Sequence, residues 1–359
     1  MKKALLFSLF GSVFCLGVHA QEVQDSVAVK DTVAVAALDP NAMADRLYKN
    51  GLLLISQKEY KQALVSLDSA ITLRPDMDQA WFSRGNVYYE LKDVKNAIDD
   101  YNRALALNSA NPQAFFSRGR ARQTEGDKAG ALADYNKAAE LDANHPMVWY
   151  LRAGLHFENQ NFKEAVEDYS VALKFTPRNA NIYHDRGSAK RQLKELDGAL
   201  TDFRKAVELD PDLAVAYHNL GSIKQAKGDL NGAIDEFSKA VERKKDYHLA
   251  YNSRGKARFE AGDYAGALAD FTKCIQLNPQ YAFAYNNRAA AKFKLKDYKG
   301  ALEDCNFALQ INDQYGSAYL NRGIAKEMLR DDSACQDWAK ALSLNIAAAK
   351  AYLTHCNEK

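Results

Sequence analysis

From about Met43 onward, apolar positions fall into two short runs of helical period separated by a turn, and the pair of runs returns every 34 residues. Residues 251–271, YNSRGKARFEAGDYAGALADF, and residues 285–305, YNNRAAAKFKLKDYKGALEDC, are two successive statements of it. A lone pair of such helices could not bury its apolar faces, but a stack of pairs can, so the period predicts a solenoid rather than a single compact core.

Aligned on a glycine inside the first helix, the chain contains nine copies. The slot holds Gly51, Gly85, Gly119, Gly187, Gly221, Gly255 and Gly323, with Ala153 and Ala289 in the other two. A helix-interior glycine costs about 1 kcal/mol relative to alanine, so its return at one register implies a close helix contact. The expected partners are small residues seven apart on the second helix, Ala63 and Ala70 in the first copy and Ala267 and Cys274 in the seventh. Large side chains fill complementary slots, from Trp81 to Tyr319 at the opening of the first helix and from Leu67 to Trp338 on the second. Pro75, Pro177, Pro211 and Pro279 stop the second helix, whereas Pro112 and Pro146 open the next first helix, where a missing N–H costs little.

Trp or Tyr, then Gly, Ala, an aromatic, Ala and Pro at these spacings resemble the tetratricopeptide repeat family, over roughly residues 43–345. The resemblance implies an all-α, right-handed superhelical solenoid of about nine 34-residue helix-turn-helix repeats. It also implies an inner wall made by the first helices and a role as a non-enzymatic protein-binding scaffold. The last repeat departs by a one-residue deletion in LRDDSACQDWAKALSLN, as a terminal repeat adapted for capping does, and residues 346–359 are expected to add a C-terminal capping helix.

One residue before the glycine slot, where the family usually has Leu, stand Arg84, Arg118, Arg152, Arg186, Arg254, Arg288 and Arg322. An acid row on the second helix, from Asp100 to Asp337, lies at the same height. A ladder for acidic polymers would not need a matched acid row, so each guanidinium is expected to be neutralised by a carboxylate. The first repeat loses both members together, with Asn50 and Ser66, whereas the sixth has Leu220 and keeps Glu236.

The family geometry points the residues after the opening aromatic into the concave groove. Candidate ligand-binding residues there are Phe82, Phe116, Tyr150, His184, His218, Asn252 and Asn286, with Asn219, Asn287 and Asn321 beside them and Tyr89 further along. Aromatic rings favour apolar side chains of a protein or peptide segment, and amides can bond an extended backbone in both senses. The alternative partner is a glycan stacked on Phe82, Tyr89, Phe116 and Tyr150. The family's clamp for a C-terminal carboxylate needs Lys in rows where this chain has none.

His184 and His218 occupy equivalent sites, but no Cys or third His accompanies them at ligand spacing, so no metal is expected. No G-x-S-x-G, P-loop, H-E-x-x-H or paired carboxylates outside the periodic rows occur, so neither enzyme activity nor a cofactor is expected.

Composition alters the picture mainly at the N-terminus. Residues 1–20, MKKALLFSLFGSVFCLGVHA, have the basic start, short apolar run and terminal small residue of a secretory signal peptide cleaved after Ala20. Residues 21–42 read as a flexible linker. Without Lys2 and Lys3 the formal charge of +2 falls to zero, which offers nothing to nucleic acid, and the mature chain has no membrane span. The expected location is periplasmic or secreted. In that oxidising setting, Cys335 and Cys356, equidistant from a turn near Asn345, are expected to form a disulfide, closing a loop worth about 3 kcal/mol in the chain-entropy model. Cys274 and Cys305 fill core slots and are expected to be buried thiols.

Overall fold

The structure, a computed structural model, describes residues 39–356. The expected signal peptide and most of the expected linker lie outside the described residues. Within them the chain forms nine helical hairpins and no strand. They are α1 (Pro40–Ser56) with α2 (Tyr60–Leu73), α3 (Asp78–Glu90) with α4 (Val94–Leu107), and α5 (Pro112–Glu125) with α6 (Lys128–Leu141). Next come α7 (Pro146–Glu158) with α8 (Phe162–Phe175), α9 (Ala180–Gln192) with α10 (Leu196–Leu209), and α11 (Ala214–Ala226) with α12 (Leu230–Arg243). The last three are α13 (His248–Glu260) with α14 (Tyr264–Leu277), α15 (Ala282–Lys294) with α16 (Tyr298–Ile311), and α17 (Gly316–Met328) with α18 (Ala334–Ser343).

Helix α1 starts before the expected Met43. Asp39 accepts from the backbone N–H of Asn41 and Pro40 takes the first helical position, a start signal lodged inside the segment read as linker.

Each hairpin turns at one left-handed residue: Lys58, Lys92, Gly126, Gln160, Lys194, Gly228, Gly262, Lys296 and Arg330. Only three of the nine are glycine, so the other six hold an L-residue where only glycine escapes a steric penalty, and packing on both sides must enforce the turn. In five hairpins the next residue is an Asp that caps the second helix, as Asp263 does by accepting from Gly266 N–H at 2.8 Å.

The glycine slot meets the expected small row, with Ala97 O 3.2 Å from a Cβ built at Gly85 and Ala233 O 3.1 Å from one at Gly221, and it also has a nearer partner that was not expected. A Cβ at Gly255 would lie 2.7 Å from Cε1 of Phe271, and Gly85, Gly119 and Gly221 face Tyr101, Tyr135 and Phe237 at 2.8, 2.7 and 2.7 Å. The glycine makes room for the second-helix ring, whereas the fully buried small row, Ala97 and Ala267 among it, lets the helix backbones approach. In the eighth repeat both ring and glycine are absent and Ala289 stands against Cys305 within one core cluster, whereas in the first repeat a Cβ at Gly51 would lie 2.8 Å from Leu67 Cγ.

All seven arginines of the first-helix row find their acids. Arg84 donates to Asp100 through Nε and Nη2 at 2.7 Å each, and the same fork recurs down to Arg322 with Asp337. The remaining Nη1 reaches back to the preceding repeat: to Asp68 from Arg84, Asn102 from Arg118, Ser170 from Arg186 and Asn306 from Arg322. Opening aromatics cover the guanidinium faces, with Trp81 4.7 Å from Arg84 Cζ and Trp149 4.6 Å from Arg152 Cζ. The row is therefore a series of pins between repeats. Asn50 likewise donates to Ser66, and in the sixth repeat Glu236 takes Lys224 and Lys239 instead.

At the C-terminus the chain turns at Asn345, and Ile346 packs where a Gly316 side chain would stand, so the capping helix starts only at Ala349. Helix α19 (Ala349–Leu353) and a 3-10 turn (Thr354–Cys356) follow, and residues 357–359 of the expected helix over 346–359 lie outside the described residues. Cys335 is bonded to Cys356 with the Cα atoms 5.9 Å apart, and Tyr352 packs 5.1 Å from Trp338 between ring centres. Cys274 and Cys305 are free and buried, and burial pushes both thiols up to about 12, far from reactivity. Reduction of the bond is expected to free the cap alone: Trp338 emission should shift red with the helical signal nearly unchanged. A Cys335→Ser chain should show that shift without reductant.

Candidate functional site

Successive first helices touch, α1 with α3, α3 with α5, α11 with α13, α13 with α15 and α15 with α17, whereas no two successive second helices come as close. The stack therefore bends with the first helices inside. Residues spaced i, i+3, i+7, i+10 along each first helix share one face. In α13 these are Leu249, Asn252, Lys256 and Phe259, and in α15 Phe283, Asn286, Ala290 and Phe293.

The expected binding residues lie on these helices, but many bond to one another. Tyr150 donates to Asp185 at 3.0 Å; His184 places Nδ1 3.0 Å from the other Asp185 oxygen and Nε2 3.0 Å from Asn219 Nδ2. Since an amide N–H can only donate, His184 accepts at Nε2 and donates from Nδ1. Arg191 closes the chain by donating to Asn219 Oδ1 at 3.0 Å. Further along, His218 meets Ser253, Asn287 donates to Asn252 and Asn321 to Asn286, while Tyr89 and Thr124 share a hydrogen bond. Each link except His184 to Asp185 joins one repeat to the next.

This corrects four of the expected ligand contacts. Asn219, Asn252 and Asn286 are buried at 6, 7 and 6 % exposure, and Phe116 is buried at 7 %. Phe116 is covered because His145, from the loop before α7, lies 4.6 Å from its ring, with Tyr135 at 6.2 Å. These four hold neighbouring repeats together and offer no free face. Phe82, Tyr89, Tyr150, His184, His218, Asn287 and Asn321 remain half-buried. The two histidines have separate partners, and the described residues contain no cluster of three metal-ligating side chains.

Three exposed apolar residues went unnoticed in the sequence: Met147, Leu249 and Phe283, at one register of the repeat and 37, 38 and 51 % exposed. Phe283 lies 5.5 and 5.0 Å from the rings of Tyr281 and Tyr315. Between the seventh and eighth repeats a shallow hollow of about 100 Å³ is lined by Lys256, Phe259, Glu260, Phe271, Asn287 and Ala290. The signal was the second residue of each first helix, large and apolar in the fourth, seventh and eighth repeats, with the smaller, half-buried Val215 in the sixth, where solvent-facing residues are usually polar.

Burial, and secondarily the Arg191 charge, lower His218 from 6.5 to about 4. The folded state keeps it neutral while the unfolded state protonates it below pH 6.5, so its stabilising effect is present above 6.5 and lost as pH falls toward 4. Between pH 6.5 and 5 the expected loss is about 2 kcal/mol. Urea titrations at these two pH values, on the natural chain and on His218→Gln, should show the larger loss in the former, the remainder in the latter including His248, which burial also lowers.

Residues 51–92, 85–126 and 187–228 match a family model described as TPR repeat, and residues 116–180, 214–247 and 248–281 match models described as Tetratricopeptide repeat. The hairpins are tetratricopeptide repeats. Solved tetratricopeptide repeat structures include the C-terminal part of a repeat-containing protein from Cytophaga hutchinsonii. It is 19 % identical over 65 % of this chain and 96 % of its own, with a TM-score of 0.55, a likeness of fold. MamA is 28 % identical over 48 % of this chain and 94 % of its own, with a TM-score of 0.43. YrrB, a tetratricopeptide repeat protein with an unusual peptide-binding site, is 22 % identical over 51 % of this chain and 95 % of its own, with a TM-score of 0.45. No curated protein matches the sequence. No helix among the described residues is long and apolar enough to cross a membrane.

Proposed function

We propose that the chain is an exported, non-enzymatic scaffold that holds an extended segment of a partner protein along the wall of first helices. The observation that carries this reading is the row Met147, Leu249 and Phe283. These apolar side chains stand in water at one register of the wall, on three different repeats. The inter-repeat bonds from Tyr150 to Asn321 prepare that wall in advance, so a bound segment need not order it. Export is supported by residues 1–20 and by the disulfide at the cap.

Parallel peptide and glycan arrays test the proposal. Leu249→Ser with Phe283→Ser should leave the unfolding midpoint nearly unchanged, since both residues are exposed, and should weaken peptide binding about tenfold or more. Capture of glycans alone would overturn it.

A further inference from the structure

We infer that the partner segment is acidic, and that Arg120 and Arg191 are its anchors on the wall. This rests on the reading of the wall as a peptide groove and adds what the peptide must carry.

Among the described residues every half-buried arginine reaches a carboxylate of its own chain, except these two. The seven pins pair with the acid row, Arg122 and Arg258 join the same acids at 2.9 Å, and Arg74 pairs with Asp45 at 2.6 Å. Arg120, on α5, has the Tyr89 and Phe116 rings 5.0 and 5.8 Å from its Cζ, and its guanidinium makes no hydrogen bond to a described residue. Arg191, on α9, commits Nη1 to Asn219 and has no acid. A guanidinium stays charged at any physiological pH, and rings over its faces leave the N–H fork in its plane to meet a planar acceptor. The two donors of such an edge match a carboxylate.

The acids of the first helices between and beside these arginines, Asp185 and Glu158, and Glu260 further along, are engaged with other groups. Asp185 accepts from Tyr150 and meets His184, Glu158 pairs with Lys128 at 2.9 Å, and Glu260 accepts from Gln225. Arg120 and Arg191 belong to the third and fifth repeats, both on the face described above. With neighbouring helices about 10 Å apart, two repeats separate them by about 20 Å, which an extended chain spans in about six residues.

The test uses the whole chain and labelled synthetic peptides of Ala, Ser and Leu carrying two Glu at varied separation, each with a Gln twin. Fluorescence anisotropy should show the Glu peptide tighter than its twin by about a hundredfold at a separation of about six, shrinking with added salt. Arg120→Gln or Arg191→Gln should each remove about tenfold of that preference, and the pair together all of it, with binding of the Gln twin unchanged. Arg103→Gln, an exposed arginine on α4, should change nothing. Lysine at either position, which keeps the charge without the fork, should restore part of the preference. Equal binding of Glu and Gln peptides by the natural chain, or a preference that survives the double substitution, would overturn the inference and leave the groove reading standing. If no peptide bound at all, both would fall together.

Discussion

Asp304→Asn is expected to destabilise the chain by about 3–5 kcal/mol, the usual result of breaking a buried ion pair from one side. Asp304 is 1 % exposed and accepts from Arg288 Nε and Nη2 at 2.8 and 2.7 Å and from Lys292 Nζ at 2.9 Å. Asparagine would set a donor against this fork and leave two cations without a counter-charge. The guanidinium cannot shed its proton, and the Asp304 hydrogen bond raises the Arg288 pKa further. Glu236, in the repeat with Leu220, is a built-in control: it is 9 % exposed and faces two lysines that can reach water. Glu236→Gln should cost only about 1 kcal/mol. Guanidinium titrations of the two variants check this, and equal losses would mean that the fork adds nothing beyond a surface pair.

The triads are better understood as register devices than as a source of stability. Replacing all three members by apolar side chains of similar volume is often neutral or favourable. What an apolar set would lack is the direction of Arg288 Nη1, which reaches Thr272 of the preceding repeat at 3.3 Å. Seven such reaches fix how each hairpin sits on the last, and hence the shape of the inner wall.

The nine hairpins and the arginine–acid pairing were legible in the sequence because both are periodic, and seven cations facing a row of acids at matching height can do little but pair with it. The second cation on five of the seven acids was not. Lys190, Lys292 and Lys326 look like ordinary solvent-facing lysines until the structure sets them 2.8, 2.9 and 2.9 Å from Asp202, Asp304 and Asp337. The groove was legible only in outline. Row membership placed Asn252 and Asn286 on the first helices, but their burial comes from Asn287 and Asn321, one position further on in the next repeat. That offset depends on how repeats tilt, which no single repeat encodes. Phe116 was misread for a similar reason, since His145 covers it from a loop outside the helical rows.

The glycine slot gives the other large expected effect. Gly255→Val should destabilise by about 3 kcal/mol, at the upper end for overpacking. Its Cβ would already lie 2.7 Å from the Phe271 ring, which is 1 % exposed and held by Ala267 and Ala291. The chain itself shows how much the slot tolerates. In the fourth repeat Ala153 stands against Tyr169, which remains 4 % exposed, so one carbon can be absorbed by a shift of the ring. Two further methyl groups exceed that margin, and the β-branch cannot rotate away within a helix. In the eighth repeat Cys305 leaves space where other repeats have a ring, so Ala289→Val should cost only about 1 kcal/mol. Thermal melts of the two valine variants compare the same final side chain against a ring and against a thiol. Equal shifts would mean that the glycine answers to the backbone approach and not to the ring.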